Sequence, residues 1–239
     1  MKELGISVVL VTSKTLPEVE HWRRELNNHS PFIVENGAAV FAPKGHPPLP
    51  QGVTRTRPYE EYEMVEFGVS YGELTGALKD AARDSGCRVQ GFADMSAGEV
   101  SNICQIPLEQ AVLAKARRYD EAFLLIEGNV EALQRAIGKR GLRLTRGGRF
   151  FHVTGQNDKA GAVFLLIKAY RQLGRVETIG IGDGPNDIGF LNLVDHAVLL
   201  DSPLFNELRK RVPYARVAAS GPEGWNEAVL ELLKYRRHR

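Results

Sequence analysis

Cysteine is nearly missing from this chain. Cys87 and Cys104 are the only two among 239 residues. They are too few for a disulfide framework and lack metal-ligand spacing, so a reducing cytoplasm is the expected compartment. Long apolar runs are missing too: nothing approaches the roughly 20 residues that cross a bilayer, and the N-terminus shows no signal-peptide h-region. A net charge of +2 gives no footing for nucleic acid or an anionic membrane surface as partner. The basic run at the end, Lys234 to Arg239, reads as a helix C-terminus complementing its dipole. The dinucleotide fingerprint G-x-G-x-x-G is absent as well, because the glycines at 180, 182 and 184 run into Pro185. There is no internal repeat and no low-complexity tract.

What is present has ordinary globular texture, with 43% hydrophobic and 25% charged residues and length for one large domain or two modest ones. The most informative stretch is Val176 to Phe190. Its apolar run, Thr178 to Ile181, is too short for a helix and ends in Asp183-Gly184-Pro185. It therefore reads as a buried strand delivering a carboxylate into a turn. Asn186 can cap a following helix that carries Asp187 in its first turn. Ligands of open α/β sheets bind beyond the carboxyl ends of the strands, and two carboxylates there make a seat for a hard cation, Mg²⁺ before Ca²⁺. The same residues are also common turn formers, and an acid in a first helical turn is favoured by the dipole without any metal.

Met1 to Gly5 looks like a helix end with a C-cap glycine. Ile6 to Val11 is a β-branched run of the kind found in strands covered on both faces. It ends in Thr12-Ser13-Lys14-Thr15, a cluster that suits an anion or simply supplies an N-cap at Thr15 ahead of Pro17. A helix over Leu16 to Asn27, a strand over Phe32 to Gly37 and a hairpin partner at Ala38 to Phe41 are expected next. Pro43 to Pro58 is the best boundary candidate. Strands at Met64–Val69, Ala122–Ile126, Leu142–Leu144 and Phe150–Val153 alternate with helices at Tyr71–Ser85, Ser96–Cys104, Pro107–Arg118 and Val130–Lys139, which predicts an α+β insert. Asp158-Lys159 opens an apolar helix running to Gly174. Its lysine sits at the wrong end for the dipole, a local conflict of the kind that functional sites produce. A strand at Ala197–Asp201 and a closing helix, Asn226 to Tyr235, complete an α/β architecture. Its Rossmann-like parallel-sheet core spans 1–58 and 154–239, with an α+β cap over 59–153.

In this order the pieces resemble the haloacid-dehalogenase-like phosphatases with a large inserted cap. More narrowly, Thr12-Ser-Lys-Thr15, Val34-Glu-Asn-Gly37, Arg118-Tyr-Asp-Glu121, Gly147-Gly-Arg-Phe150, Gly182-Asp-Gly-Pro-Asn-Asp187 and Gly221-Pro-Glu-Gly-Trp225 are similar to the mannosyl-3-phosphoglycerate phosphatase family. The resemblance implies a Mg²⁺-dependent phosphomonoester hydrolase that forms mannosylglycerate through an aspartyl-phosphate intermediate. It implies that Thr12 and Ser13 hold phosphoryl oxygens and that Lys159 neutralises charge at the reacting centre. Asp183 would bind Mg²⁺, with Asp187 as outer ligand or orienter. Arg149 becomes the candidate clamp for the glycerate carboxylate, and Arg118, Glu121 and Asn36 become further candidates for substrate contact. The implied partner is a small phosphorylated sugar acid.

The family opens on a strand ending in Asp-x-Asp-Gly-Thr, whose first Asp is the nucleophile and whose second is the general acid/base. No Asp-x-Asp occurs in the 239 residues, so no nucleophile can be nominated in this chain. The expectation is an N-terminally shortened phosphatase that by itself hydrolyses no phosphomonoester. Loss of that strand would also leave the strands ending at Thr12 and Asp183 about 9–10 Å apart, twice the usual spacing. The alternatives are a phosphatase of the same fold acting on glucosyl-3-phosphoglycerate or another sugar phosphate, a non-catalytic binder of a phosphorylated sugar acid, and a plain interaction protein. Oligomeric state has no signal in the sequence.

Overall fold

The computed structural model of the chain describes residues 4–44, 49, 56–147 and 149–236. Met1 to Glu3, most of the Pro43 to Pro58 stretch, Gly148 and the last three basic residues lie outside the described residues. The chain forms two compact units, Met1–Asn157 and Asp158–Arg239.

The first unit opens with β1 (Leu10–Val11), α1 (Leu16–Glu25), β2 (Phe32–Val34) and β3 (Ala39–Pro43). Thr15 starts α1 through a reciprocal capping box with Glu18, and a proline follows in the first turn. These are the pairings that satisfy orphan N–H groups at a helix start. β1 runs parallel to β2, and β2 turns antiparallel into β3 with Val34 opposite Ala39. That tight return needs positive φ at Glu35 (+44°) and Asn36 (+59°), a region Asn tolerates better than most residues. β4 (Thr56–Tyr59) and β5 (Tyr62–Glu66) complete a sheet in the order β1-β2-β3-β5-β4. The segment expected as an insert strand, Met64 to Val69, is therefore largely β5 and pairs with β3. Phe32 stacks on Phe41 at 5.2 Å with Tyr62 edge-on, and the Arg23 guanidinium lies 4.3 Å above the Phe32 ring.

The inserted layer follows: α2 (Tyr71–Ser85), β6 (Arg88–Gly91), α3 (Ala97–Cys104), α4 (Leu108–Lys115), β7 (Asp120–Glu127), α5 (Val130–Gly138), β8 (Arg143–Arg146) and β9 (Phe151–Thr154). Its four strands form a mixed-order antiparallel sheet, β6-β7-β9-β8. One face is covered by α2 and α5 through Leu74, Leu78, Leu133 and Ile137. At about 1.5–3 kcal/mol for each fully buried side chain of this size, that stripe holds the helices down.

The second unit holds α6 (Lys159–Gln172), β10 (Ile179–Gly182), α7 (Ile188–Leu191), β11 (His196–Leu200), α8 (Phe205–Arg211), β12 (Arg216–Ala218) and α9 (Gly221–Arg236). Its sheet is parallel throughout, in the order β10-β11-β12. Central β11 has a continuous buried run, Ala197 to Leu200, as parallel strands covered on both faces require. Among the described residues, β1 is paired only with β2 and β10 only with β11. Each is an edge strand of its own sheet, and β1 shrinks to two residues of the six in the Ile6 to Val11 run.

Candidate functional site

In the second unit the strand-to-turn motif builds a compact polar centre. β10 delivers Asp183 to an exposed position, and the 3₁₀ turn Pro185–Asp187 folds straight back over the strand. Only glycine permits this return: a Cβ at Gly182 would stand 2.6 Å from the Asp187 Cβ, and one at Gly180 would stand 2.9 Å from Val194. Asp187, 5% exposed, accepts hydrogen bonds through Oδ2 from the N–H of Asp183 (3.1 Å) and of Gly184 (3.0 Å). Its Oδ1 accepts from Lys159 Nζ at 2.7 Å. The misplaced lysine of the sequence thus has its reason, since a buried ammonium at a helix start is held by a carboxylate rather than by the dipole.

Both Asp187 oxygens are engaged inside the protein, so its geometry suits an orienter more than a ligand. Asp183 carries the exposed carboxylate. Among the described residues no three His, Cys, Asp or Glu side chains gather as a ready-made metal cage. Mg²⁺ commonly uses only one or two protein carboxylates and takes its other oxygens from water and substrate phosphate. Asp183 beside a turn fixed by Asp187 fits that requirement.

In the first unit, the loop after β1 is tied to the β2–β3 turn. Asn36 N–H donates to the Thr12 carbonyl (3.0 Å), Glu35 N–H to the Lys14 carbonyl (3.0 Å) and Lys14 N–H to Thr12 Oγ1 (3.1 Å). Thr12 and Ser13 are half-buried. Thr15 is a working N-cap, and its hydroxyl donates to the Leu113 carbonyl on α4 at 2.8 Å. The turn then reaches into the inserted layer. Glu35, fully buried, accepts from the backbone N–H groups of Arg118 and Tyr119 at 2.8–3.1 Å. Burial nevertheless dominates and raises its carboxyl to about 7, partly offset by those two N–H groups and Arg117.

Asn36 Nδ2 donates to Asp120 Oδ2 (2.7 Å), and Asp120 Oδ1 is 2.7 Å from His152 Nδ1 and 3.2 Å from the Arg117 guanidinium. Burial alone would raise the Asp120 carboxyl. His152, Arg117 and the hydrogen bond from Asn36 outweigh it and hold the group below the usual carboxylate range. Arg149 is exposed on the β8–β9 connection. Burial raises the Cys104 thiol at the end of α3, while Arg149, Arg117 and Lys14 pull it down. These cations therefore lie within electrostatic reach of one point.

Two candidates have other work. Glu121 is 1% exposed and accepts from Tyr71 Oη (2.6 Å) and Ala93 N–H (3.1 Å), so it braces β7 from inside rather than facing a ligand. Arg118 lies over the Tyr59 and Tyr119 rings at 5.0 and 5.5 Å and, with Arg117 and Tyr71, lines a cleft of about 580 Å³. The sequence marks the guanidinium-bearing stretches Arg117 to Glu121 and Gly147 to His152 as able to hold an anionic or hydroxylated ligand, but gives Asp120 and His152 no role of their own. Their only signal was position inside the motifs Arg117-Arg-Tyr-Asp-Glu121 and Gly147-Gly-Arg-Phe-Phe-His152.

No family model matches the chain. Relatives do: a glucosyl-3-phosphoglycerate/mannosyl-3-phosphoglycerate phosphatase of Methanococcoides burtonii is 36% identical over 244 aligned positions, covering 98% of this chain and 87% of its own. A mannosyl-3-phosphoglycerate phosphatase of Pyrococcus furiosus is 34% identical over 201 positions, covering 84% of this chain and 80% of its own. Among solved structures, a sugar phosphatase of haloacid-dehalogenase subclass IIB superposes with a TM-score of 0.62 at 15% identity, covering 98% of this chain and 86% of its own. A phosphatase of the same superfamily from Bacteroides thetaiotaomicron gives a TM-score of 0.63 at 18% identity, covering 96% and 83%. The solved structures establish the haloacid-dehalogenase fold with its cap, and sequence identity over nearly the whole length narrows it: the chain belongs to the mannosyl-3-phosphoglycerate phosphatase family.

Proposed function

We propose that this chain is the scaffold of a phosphatase that removes phosphate from mannosyl-3-phosphoglycerate to leave mannosylglycerate. The observation that carries this reading is the buried Lys159–Asp187 pair, 2.7 Å apart, on the turn that presents Asp183. Phosphoryl transfer is mostly positioning and charge stabilisation, so an ammonium locked in one place is the useful kind of group. Lys159 offsets charge on the transferring group, Asp187 holds Lys159 and the turn, and Asp183 holds the cation. When bound, Mg²⁺ would offset the negative charge on the phosphoryl oxygens that otherwise repels an attacking anion. Thr12 and Ser13 hold further phosphoryl oxygens, and Arg149 takes the glycerate carboxylate through its planar fork. No Asp-x-Asp occurs among these 239 residues, so no nucleophilic carboxylate is assigned to one of them. A joined segment with Asp-x-Asp-Gly-Thr would supply such a carboxylate.

Two relatives carry both glucosyl- and mannosyl-3-phosphoglycerate in their names, which favours a second reading in which either sugar is accepted. The test is phosphate release from both compounds by the chain joined to such a segment, with Mg²⁺ and with a chelator. Release from mannosyl-3-phosphoglycerate with Mg²⁺ alone is expected. Release from glucosyl-3-phosphoglycerate only, or from neither, would overturn the reading.

A further inference from the structure

His152 is not used by the reading above, yet it is the best-positioned side chain in the inserted layer. It stands on β9, with its side chain 13% exposed. Its Nδ1 is bound to a carboxylate, Asp120 Oδ1, that is itself completely buried and fixed from two other sides by Asn36 and Arg117. A ring nitrogen bonded to a carboxylate carries the proton, so the tautomer is set and Nε2 is left as the ring's open edge. That edge points at the β8–β9 connection: a Cβ on Gly147 would stand 2.8 Å from Nε2. Among the described residues none hydrogen-bonds to Nε2. The connection is closed by the Gly147 N–H on the Phe150 carbonyl (2.9 Å), and Arg149 leaves it toward solvent. A buried carboxylate behind an imidazole and a glycine in front of it make a small built site, with the exposed Arg149 on the same connection.

We propose that His152 is a specificity-determining residue that contacts the ligand: its Nε2 hydrogen-bonds a hydroxyl of the sugar moiety, while Arg149 pairs with the carboxylate of the same molecule. Asp120 is then a positioning residue that acts through His152, and Asn36 and Arg117 keep Asp120 in register. The proposal rests on the sugar-acid reading given above and adds to it a residue that tells a glycosylated acid from the bare acid. Gly147 follows as a consequence, because any side chain there would close the space in front of Nε2.

The two nitrogens of the imidazole can be tested separately. In His152→Asn the amide nitrogen can still donate to Asp120, so the structural bond is kept and the ligand-facing atom is lost. In His152→Gln a polar group still reaches the ligand side. Mannosylglycerate and glycerate are titrated into the 239-residue chain and followed by NMR. We expect His152→Asn to melt close to the unmodified chain and to lose mannosylglycerate affinity by about 5- to 100-fold, the effect of leaving a polar partner unpaired. Glycerate affinity should change less than about twofold, His152→Gln should recover much of the loss, and Arg149→Ala should weaken both compounds. In the unmodified chain the His152 Nε2 resonance should move with mannosylglycerate and stay with glycerate, a readout that does not require any variant to fold. An unmoved Nε2 resonance, or a His152→Asn chain that binds mannosylglycerate as the unmodified chain does, overturns the assignment and leaves the phosphatase reading intact. An unmodified chain that binds neither compound defeats the sugar-acid reading and the assignment with it.

Discussion

Lys159 and Glu35 show how single groups are set by their surroundings. The Lys159–Asp187 pair is buried on both sides, 8% exposed each, so removing one partner strands the other charge. Asp187→Ala should cost about 3–5 kcal/mol in urea unfolding, whereas Asp183→Asn, at an exposed position, should cost little. Glu35 has its carboxyl raised to about 7 from 4.5. Between those values the folded chain keeps a proton that the unfolded chain has released, so stability is full below pH 4.5 and falls as pH rises toward 7. The fall amounts to about 3 kcal/mol. Unfolding midpoints measured from pH 4 to 8 should show this slope and lose it in Glu35→Gln. Neither environment is visible in sequence. Lys159 showed only as a cation at the wrong helix end, and the carboxylate that explains it lies 28 residues away. Asp120 and His152 are 32 residues apart and Asn36 and Asp120 are 84 apart, so their network cannot be read from local spacing.

Elements were legible where caps bound them. α2 starts on a Ser70–Glu73 capping box and ends on Gly86 at φ +65°, and the expected Tyr71 to Ser85 matches both ends. α1 starts at Thr15 for the same reason, and Thr15→Ala should destabilise the chain by about 0.5–2 kcal/mol, with the Leu113 bond lost in addition. β6, Arg88 to Gly91, gave no signal because it is short, polar and only partly buried. β5 was legible as a strand, though its pairing with β3 was not: nothing within Tyr62–Glu66 says which of two sheets will accept it. The strand–turn motif at Asp183 was the clearest of all, since its glycines are required by contact. Gly182→Ala should put a methyl within 2.6 Å of Asp187 and displace Lys159 with it, so in the chain preceded by an Asp-x-Asp-Gly-Thr strand phosphate release should fall further than stability does.

At the scale of the whole chain, family membership and fold class followed from the order of six short motifs, because order along the chain survives where individual motifs are ambiguous. No helix among the described residues is long and apolar enough to cross a membrane, in keeping with the composition. The absence of Asp-x-Asp makes catalysis the sharpest question, since Mg²⁺ and lysine cannot replace a carboxylate nucleophile. The most direct measurement is phosphate release from mannosyl-3-phosphoglycerate by the 239-residue chain, by the chain preceded by an Asp-x-Asp-Gly-Thr strand, and by the latter with Lys159→Ala. The account predicts no turnover from the first, Mg²⁺-dependent turnover from the second, and a loss of about 10²–10³-fold in the third. Mg²⁺-dependent turnover by the 239-residue chain, or full activity without Lys159, would contradict it.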